Sequence, residues 1–474
     1  MNIIILGAGM SGLSAAIRAA RKGHEVTVIE RQKTPGGKLW QHKEGGFTFD
    51  MGPSMMIETD IINEVLDTPI PFEKVSPTCT LVYDDEKPIV LGDNYLEVLQ
   101  QEAPQDLERF LKLKKRMQPV IKAVRQSLFQ KPFVKPLDFF RVSLLRIAFT
   151  INPNTSAGAF AQKYFESPLL QGLFSTFPSY TEHPVNKSPA VSIFVPFIML
   201  EGIYYPRGGI YRIATAYEAH AKKLGVTFKY DETVTAISQT SVVTGKGTYA
   251  ADAIISTIDY TTTQALRGSA EQKTAAHAYF AVAVGLNRTL PEYSHHTFLI
   301  PKSYNEAHAL IDEGKLPDEV PLYLCIASKT DPECAPKGKE NVFVVAVLPS
   351  TQEIDWKAEK EPVADRLLKQ AGISPEMVEV RRVLAPDEFD SKFMNLGGSV
   401  FGASGVHNPF VGFRQPNADG KQENLFYAGA TVQPGSGVPL VIRSGKFAVD
   451  MMERYFAKRK ELSINNFPPF AKGG

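Results

Sequence analysis

The chain has 474 residues, 43% of them hydrophobic, with 52 basic against 51 acidic side chains. That length excludes a small module and suggests one large multi-part enzyme or two to three domains. A net charge of +1 gives no global case for a polyanionic partner, so no nucleic acid is expected. Three cysteines, Cys79, Cys325 and Cys334, are too few and too scattered for a disulfide framework or a four-ligand zinc site, which fits a reducing cytoplasm.

The opening residues change period in a readable way. Asn2-Ile3-Ile4-Ile5-Leu6 is a continuous apolar run, as expected of a parallel strand buried on both faces. It runs straight into glycines instead of a cleavage site, so no secretory signal is expected. Leu13, Ala16, Ile17 and Ala20 recur at helical spacing, Gly23 closes the helix, and Val26–Ile29 reads as a second buried strand ending at Glu30. Together these form one βαβ unit.

Within it, Gly7, Gly9 and Gly12 form GxGxxG between strand and helix. Gly7 permits the tight turn, Gly9 lets the backbone approach a pyrophosphate, and Gly12 lets helix pack on strand. The helix N-terminus faces the phosphate charge, and Glu30 would hold the ribose hydroxyls. A second glycine pair, Gly36-Gly37, follows the acid and allows another close approach, with Lys38 available to offset charge. A nicotinamide dehydrogenase has no general need for that pair. Next comes Phe47-Thr48-Phe49-Asp50-Met51-Gly52-Pro53-Ser54, of which Asp50-Met51-Gly52-Pro53 taken alone also reads as a plain loop.

Further along, residues 66–204 are rich in helical patterns and aromatics. The longest apolar stretch there, 190–200, contains Ser192 and Pro196 and falls short of the ~20 residues of a spanning helix, so no transmembrane anchor is expected. A second αβ section begins near Gly208, with a helix over 213–223 and strands at Val226–Phe228, Val234–Ile237 and Ala253–Thr257. Residues 261–394 mix strand-like runs such as Tyr279–Leu286 with helical ones such as Pro362–Ala371. Leu425–Ala428 is a last buried strand, followed by a glycine-rich turn containing Gly429, Gly435 and Gly437 and a helix from Val438 to about Tyr455. The N-terminus of that helix would put positive dipole beside the flavin N1–C2 carbonyl region.

The segments GAGMSGLSAAIRAARKGHEVTVIERQKTPGGK, FTFDMGPS, EGIYYPRGGIYRIATA and NLFYAGATVQPGSGVPLVIRSGK resemble the bacterial phytoene desaturase family over nearly the full chain, and within it the C30 branch, the dehydrosqualene (4,4'-diapophytoene) desaturases. The resemblance implies FAD bound in extended form, successive dehydrogenation of a long polyene, and peripheral attachment to the cell membrane from the cytoplasm. Carried over by motif, Gly7, Gly9, Gly12, Glu30, Gly37, Lys38, Gly52, Gly429 and Val438 would touch the cofactor, and Val234 matches the position whose backbone pairs with adenine. Arg443 departs from the pattern, because that helix position is usually uncharged.

The expected fold class is therefore α/β: a discontinuous Rossmann-like FAD-binding domain (1–65, 205–260 and 395–474), an inserted α+β substrate-binding domain (261–394), and a helical, membrane-facing substrate region (66–204). Residues 111–150 carry ten basic side chains against the single acid Asp138, interleaved with Phe133, Phe139, Phe140, Leu144 and Phe149. This is the composition of a helix lying on an anionic bilayer; a solvated basic helix with an apolar core face has it too. Phe174, Phe177, Tyr180, Phe194, Phe197, Met199, Tyr204 and Tyr205 are candidates for an apolar substrate wall, each singly also a core candidate.

No Ser-His-Asp set, paired carboxylates or His/Cys metal set is visible, no metal is expected, and His295-His296 reads as an isolated loop pair. Glu201, the acid nearest the aromatic segment, is the candidate for stabilising allylic charge, and a surface role fits it as well. The reading is an FAD-dependent desaturase of a C30 or C40 carotenoid precursor. Its alternatives are a C30 terminal-methyl oxygenase or a carotenoid isomerase of the same family, and a flavin amine oxidase. A cysteine for covalent flavin near the C-terminus would favour the amine oxidase, and none follows Cys334. A membrane-docking flavin chaperone would bind FAD without polyene turnover. Chain length of the substrate, electron acceptor and oligomeric state are not legible.

Overall fold

The computed structural model describes residues 1–84, 86–127, 130–132, 155–179, 190–269, 277–350, 354–400, 414–419 and 424–465. Strand β1 (Asn2–Leu6) is flanked on both edges by parallel partners, β2 (Glu25–Ile29) and the strand Ala253–Ser256. Ile3, Ile5 and Leu6 are wholly buried, which is why the run shows no polar alternation. The strand Thr227–Lys229 extends the sheet beyond β2, and Leu425–Tyr427 extends it beyond Ala253–Ser256. Three stretches far apart in the chain thus build, among the described residues, one parallel sheet of five strands.

Helix α1 (Met10–Arg21) packs against the C-terminal helix Val438–Asn465 and the helix Tyr211–Lys223. The approach to the C-terminal helix is close: a Cβ on Gly445 would lie 2.4 Å from the Ser11 carbonyl oxygen. Arg443 resolves the departure noted in the sequence. It is buried, its Nη1 lies 2.5 Å from Glu64 Oε2, and Arg18 of α1 reaches the same oxygen at 3.4 Å. One carboxylate after the short helix Thr59–Asn63 therefore ties two helices through two cations.

Among the described residues, a second sheet of seven strands is built from both inserts. Cys79–Tyr83 and Ile89–Leu91 from the first insert join strands of the second, with Thr80 beside Thr297 and Leu81 beside Phe298 in parallel register. Residues 66–204 are therefore not purely helical, and 261–394 does not hold a sheet of its own. Along His277–Leu286, Phe280, Val282 and Val284 face a core capped by the helix Trp356–Gln370. Ala281 and Ala283 face the large core that continues into the nucleotide sheet. With both faces covered, these strands are near-continuously apolar. Gly285 is needed for the second packing, because a Cβ there would sit 2.6 Å from the Phe47 ring. No described helix is long and apolar enough to cross a membrane.

Candidate functional site

The sheet's carboxyl edge gathers the glycines. After β1, the Gly7 N–H donates to Ile29 O (2.8 Å), closing the turn onto β2. A Cβ on Gly12 would meet Gly7 O at 2.0 Å, so α1 can start only with glycine there. Gly9 has extended backbone, no side chain caps α1 at this residue, and a Cβ on it would meet nothing within 4 Å. The first turn of α1 thus presents N–H groups to open space, the arrangement that binds an anion.

The second glycine pair lies directly against the first. Gly9 and Gly36 form a parallel bridge, the Gly36 N–H donates to Ala8 O (2.8 Å), and Gly37 adopts φ 59° with its Cβ position 3.2 Å from Gly9 Cα. Only glycine fits such a backbone-on-backbone contact in the left-handed region. Beside it, Glu30 is buried at the end of β2, accepting the Ala8 N–H at 2.7 Å through Oε2 and the Gln32 N–H at 2.7 Å through Oε1. Burial raises its pKa against these hydrogen bonds.

The third cluster comes from the C-terminal block. The Gly429 N–H donates to Ser444 Oγ (3.0 Å), and its Cβ position is 3.6 Å from Ser11 Oγ on α1. Asn417, which sequence reasoning missed, pins the loop by donating to Tyr427 O, Gln433 O and Ser444 Oγ at 3.0, 2.8 and 3.1 Å. Val438 opens the terminal helix here and is buried.

Two cations complete this edge. Lys38 donates from Nζ to Val400 O (2.6 Å), and burial lowers its pKa while Asp259 opposes the shift. Arg414 donates to Ala430 O and to Ser436 Oγ (3.5 Å), and burial pushes its pKa down to about 9. Desolvated cations beside an uncapped helix N-terminus and an open glycine cradle fit a diphosphate, whose charge would restore what burial takes from them. The residues present therefore fit a flavin dinucleotide.

Gly52 packs against this region, its Cβ position 2.0 Å from Lys38 O. Two residues earlier, Asp50 accepts from Tyr205 Oη (2.7 Å) and from the Ile210 N–H (3.0 Å), which fastens the Pro206–Gly209 turn to the first glycine-rich third of the chain. Phe47–Asp50 is a strand paired with Gln41–Glu44, and Met51–Ser54 follow it outside any helix or strand. Val234 lies in the strand Val234–Ile237 with its side chain among Ile4, Leu6 and Ile29, and the nearby Glu232 N–H donates to Glu30 O (3.0 Å).

Other expected residues lie elsewhere. Glu201 ends the helix Val195–Glu201, half exposed, with Arg125 Nη2 at 3.5 Å. Phe174 and Phe197 pack on each other (5.1 Å between ring centroids) and on Phe110 (6.2 and 5.4 Å), forming a core rather than an open wall; the Phe177 side chain and Tyr180 lie outside the described residues. In the basic stretch, Leu107–Ser127 is one helix whose Phe110, Leu113, Met117 and Val120 face the core and whose Lys112 pairs with Glu108. The aromatic-rich 133–150 lies outside the described residues.

His295-His296 is not a loop pair. His296 opens the strand His296–Ile300 opposite Cys325, both histidines are buried, and the three side chains come together.

Comparison with known proteins agrees with this geometry. The flavin containing amine oxidoreductase family matches residues 10–452. The 1-hydroxycarotenoid 3,4-desaturase of Flavobacterium sp. (strain P99-3) is 29% identical, over 95% of this chain and 98% of its own. The 4,4'-diapophytoene desaturase (4,4'-diaponeurosporene-forming) of Staphylococcus haemolyticus (strain JCSC1435) is 24% identical over the same shares. Among solved structures, an oxidoreductase from Methanosarcina mazei superposes with a TM-score of 0.65 at 16% identity, covering 95% of this chain and all of that one; it shares the fold.

Proposed function

This chain belongs to the flavin containing amine oxidoreductases, and from that premise we propose that it is an FAD-dependent carotenoid desaturase acting on a C30 precursor, dehydrosqualene, with C40 phytoene as second choice. FAD is its cofactor, and bound at the glycine edge it supplies a two-electron acceptor for the hydride removed from a saturated CH2–CH2 flanked by alkenes. The chain's own residues bind and orient. The open face of Gly9 and the first turn of α1 take the diphosphate, Lys38 and Arg414 offset its charge, and Glu30 holds the ribose. Asp50 keeps Tyr205 and the Pro206–Gly209 turn in place beside them.

The observation that carries the reading is the meeting of three glycine clusters from residues 7–12, 36–37 and 429–437 at one end of α1, in a chain similar over 95% of its length to curated carotenoid desaturases. Those relatives act on different polyenes, so the preference for C30 rests on the sequence motifs. An apolar polyene is almost insoluble and has to be drawn from a bilayer. The ten basic residues of 111–150 support docking at an anionic membrane face, with the enzyme peripheral on the cytoplasmic side.

Expression in cells that accumulate dehydrosqualene, and separately in cells that accumulate phytoene, tests the proposal through pigment spectra. New conjugation from dehydrosqualene is the expected result. Unchanged precursor in both hosts, with flavin-loaded protein present, overturns it.

A further inference from the structure

Outside the cofactor edge, the described residues bring together one set of metal-ligand side chains that neither the sequence reading nor the desaturase chemistry uses. One ring nitrogen each from His295 and His296, together with Cys325 Sγ, lie within 4.8 Å of one another. Their exposures are 2%, 0% and 3%. The strand pairing explains the convergence: His296 stands opposite Cys325 in antiparallel register, and the Ile326 N–H donates to His295 O at 2.8 Å.

The hydrogen bonds of the two imidazoles give an independent pointer. His295 Nδ1 is 2.7 Å from Thr330 Oγ1, and His296 Nδ1 is 2.8 Å from Tyr323 Oη. Both Nε2 atoms are buried without a partner. With Nδ1–H donating to a hydroxyl oxygen, Nε2 keeps its lone pair. A buried acceptor left unmatched is costly, and two on rings whose centroids lie 4.3 Å apart point to something that accepts both lone pairs. An imidazole fixed through one nitrogen and open at the other is the arrangement seen where histidine binds a metal.

We propose that His295, His296 and Cys325 supply three of the four donors of a buried zinc site, with a water molecule in the fourth position. Two nitrogens and a thiolate suit zinc rather than calcium or magnesium, which take oxygen donors. Donors sharing one tetrahedral zinc sit roughly 3.5 Å apart, so the set closes on the ion by shifts of about 1 Å. Cys325 binds as thiolate, its proton passing to solvent. That leaves one positive charge at the site, and the negative charge of Asp50, felt at Cys325, partly offsets it. Cys334, 3.8 Å from Tyr205 Oη, stands just outside the set. The ion would tie the strand His296–Ile300 to its neighbour Leu322–Cys325, beside the edge-on contact of the His295 ring with Tyr205 at 4.9 Å, which in turn holds Asp50. Full burial makes it an ion acquired as the sheet forms.

The test reads metal content, so its outcome is separate from polyene turnover. The full chain, flavin-loaded, is produced in zinc-supplemented medium, dialysed against chelator while folded, and assayed by mass spectrometry of metals. About one zinc per chain is expected, falling at least fivefold in Cys325→Ser and in His295→Gln. Protein grown in cobalt should show thiolate-to-cobalt absorption in the difference spectrum against zinc-grown protein, which cancels the flavin. If either variant fails to fold, the wild-type zinc count and cobalt spectrum decide alone. Wild-type protein holding less than about a tenth of an equivalent, with no cobalt–thiolate band, overturns the site.

Discussion

Gly9 and Gly12 belong to one motif three residues apart, yet the structure assigns them opposite consequences when a single methyl is added. At Gly9 the backbone is extended (φ −69°, ψ 174°) and an added Cβ meets nothing within 4 Å. Gly9→Ala should fold, with stability raised by roughly 0.4–1 kcal/mol through the unfolded chain. The methyl then occupies the space assigned to the cofactor's diphosphate. An intrusion of that size typically costs about 1–3 kcal/mol, or about 5- to 150-fold in FAD affinity. At Gly12 the added Cβ would lie 2.0 Å from Gly7 O and 3.1 Å from Thr257 Oγ1. The clash is with backbone, so α1 has to back away from β1, and Gly12→Ala should lose at least 1–3 kcal/mol of apoprotein stability, about what overpacking a core costs.

Urea unfolding of flavin-stripped protein separates the two, because no ligand contributes to that reading. Titration of the refolded apoprotein with FAD, followed by flavin fluorescence, then gives the affinities. The expected pattern is a Gly9→Ala protein slightly more stable than wild type that binds FAD weakly, beside a Gly12→Ala protein that is destabilised before any cofactor is added. A Gly9→Ala protein binding FAD at wild-type affinity refutes the placement of the diphosphate. An undisturbed Gly12→Ala apoprotein refutes the helix–strand packing that defines the whole edge.

Glu64→Ala strands Arg18 and Arg443 without their shared carboxylate and should cost about 3 kcal/mol, more than Arg443→Met, which removes a buried charge along with its partner's need; urea midpoints of the two variants check the order. Glu30→Arg should abolish the yellow flavin absorbance of purified protein, and retained absorbance contradicts the ribose assignment. His308 is buried and its pKa is pushed down to about 4 by desolvation, with His277 nearby. The unfolded chain therefore binds a proton that the folded one refuses between pH 6.5 and about 4. Stability should fall as pH drops through that window, by up to roughly 3 kcal/mol, and His308→Phe should flatten the slope. Glu201 makes a half-exposed ion pair with Arg125 at 3.5 Å, worth about 1 kcal/mol at most, so Glu201→Gln should leave polyene turnover within about twofold; a hundredfold loss would return it to the reaction.

What was legible in the sequence is what local geometry enforces. β1 is buried on both faces and its residues are continuously apolar; a Cβ on Gly12 collides with backbone, and Gly37 holds a left-handed φ against Gly9; and Glu30 directly follows β2, one βαβ unit after β1 begins. The turn glycines and Glu30 meet within some thirty residues, so spacing alone carries them, and the apolar run of β1 is visible whatever buries it. The strand Leu425–Tyr427 is likewise written in its own apolar run, although its place at the sheet's edge is not.

Contacts between distant stretches leave no such trace. Cys79–Tyr83 reads as a short apolar segment among helices, and only its parallel neighbour His296–Ile300, more than two hundred residues later, makes it part of a sheet. The same pairing logic hides His295, His296 and Cys325, since a strand register, not a spacing motif, brings them together. Aromatic composition misleads for the opposite reason: Phe174 and Phe197 look alike whether they line a channel or fill a core, and Phe110, sixty-four residues before Phe174, settles that they fill one. Arg443 shows how a residue that looks out of place acquires meaning. A cation on a buried helix face is expensive alone, and its cost is offset only because Glu64 arrives from another segment. Polyene crosslinking should therefore spare Phe110, Phe174 and Phe197, and labelling of these three rings would contradict the packing.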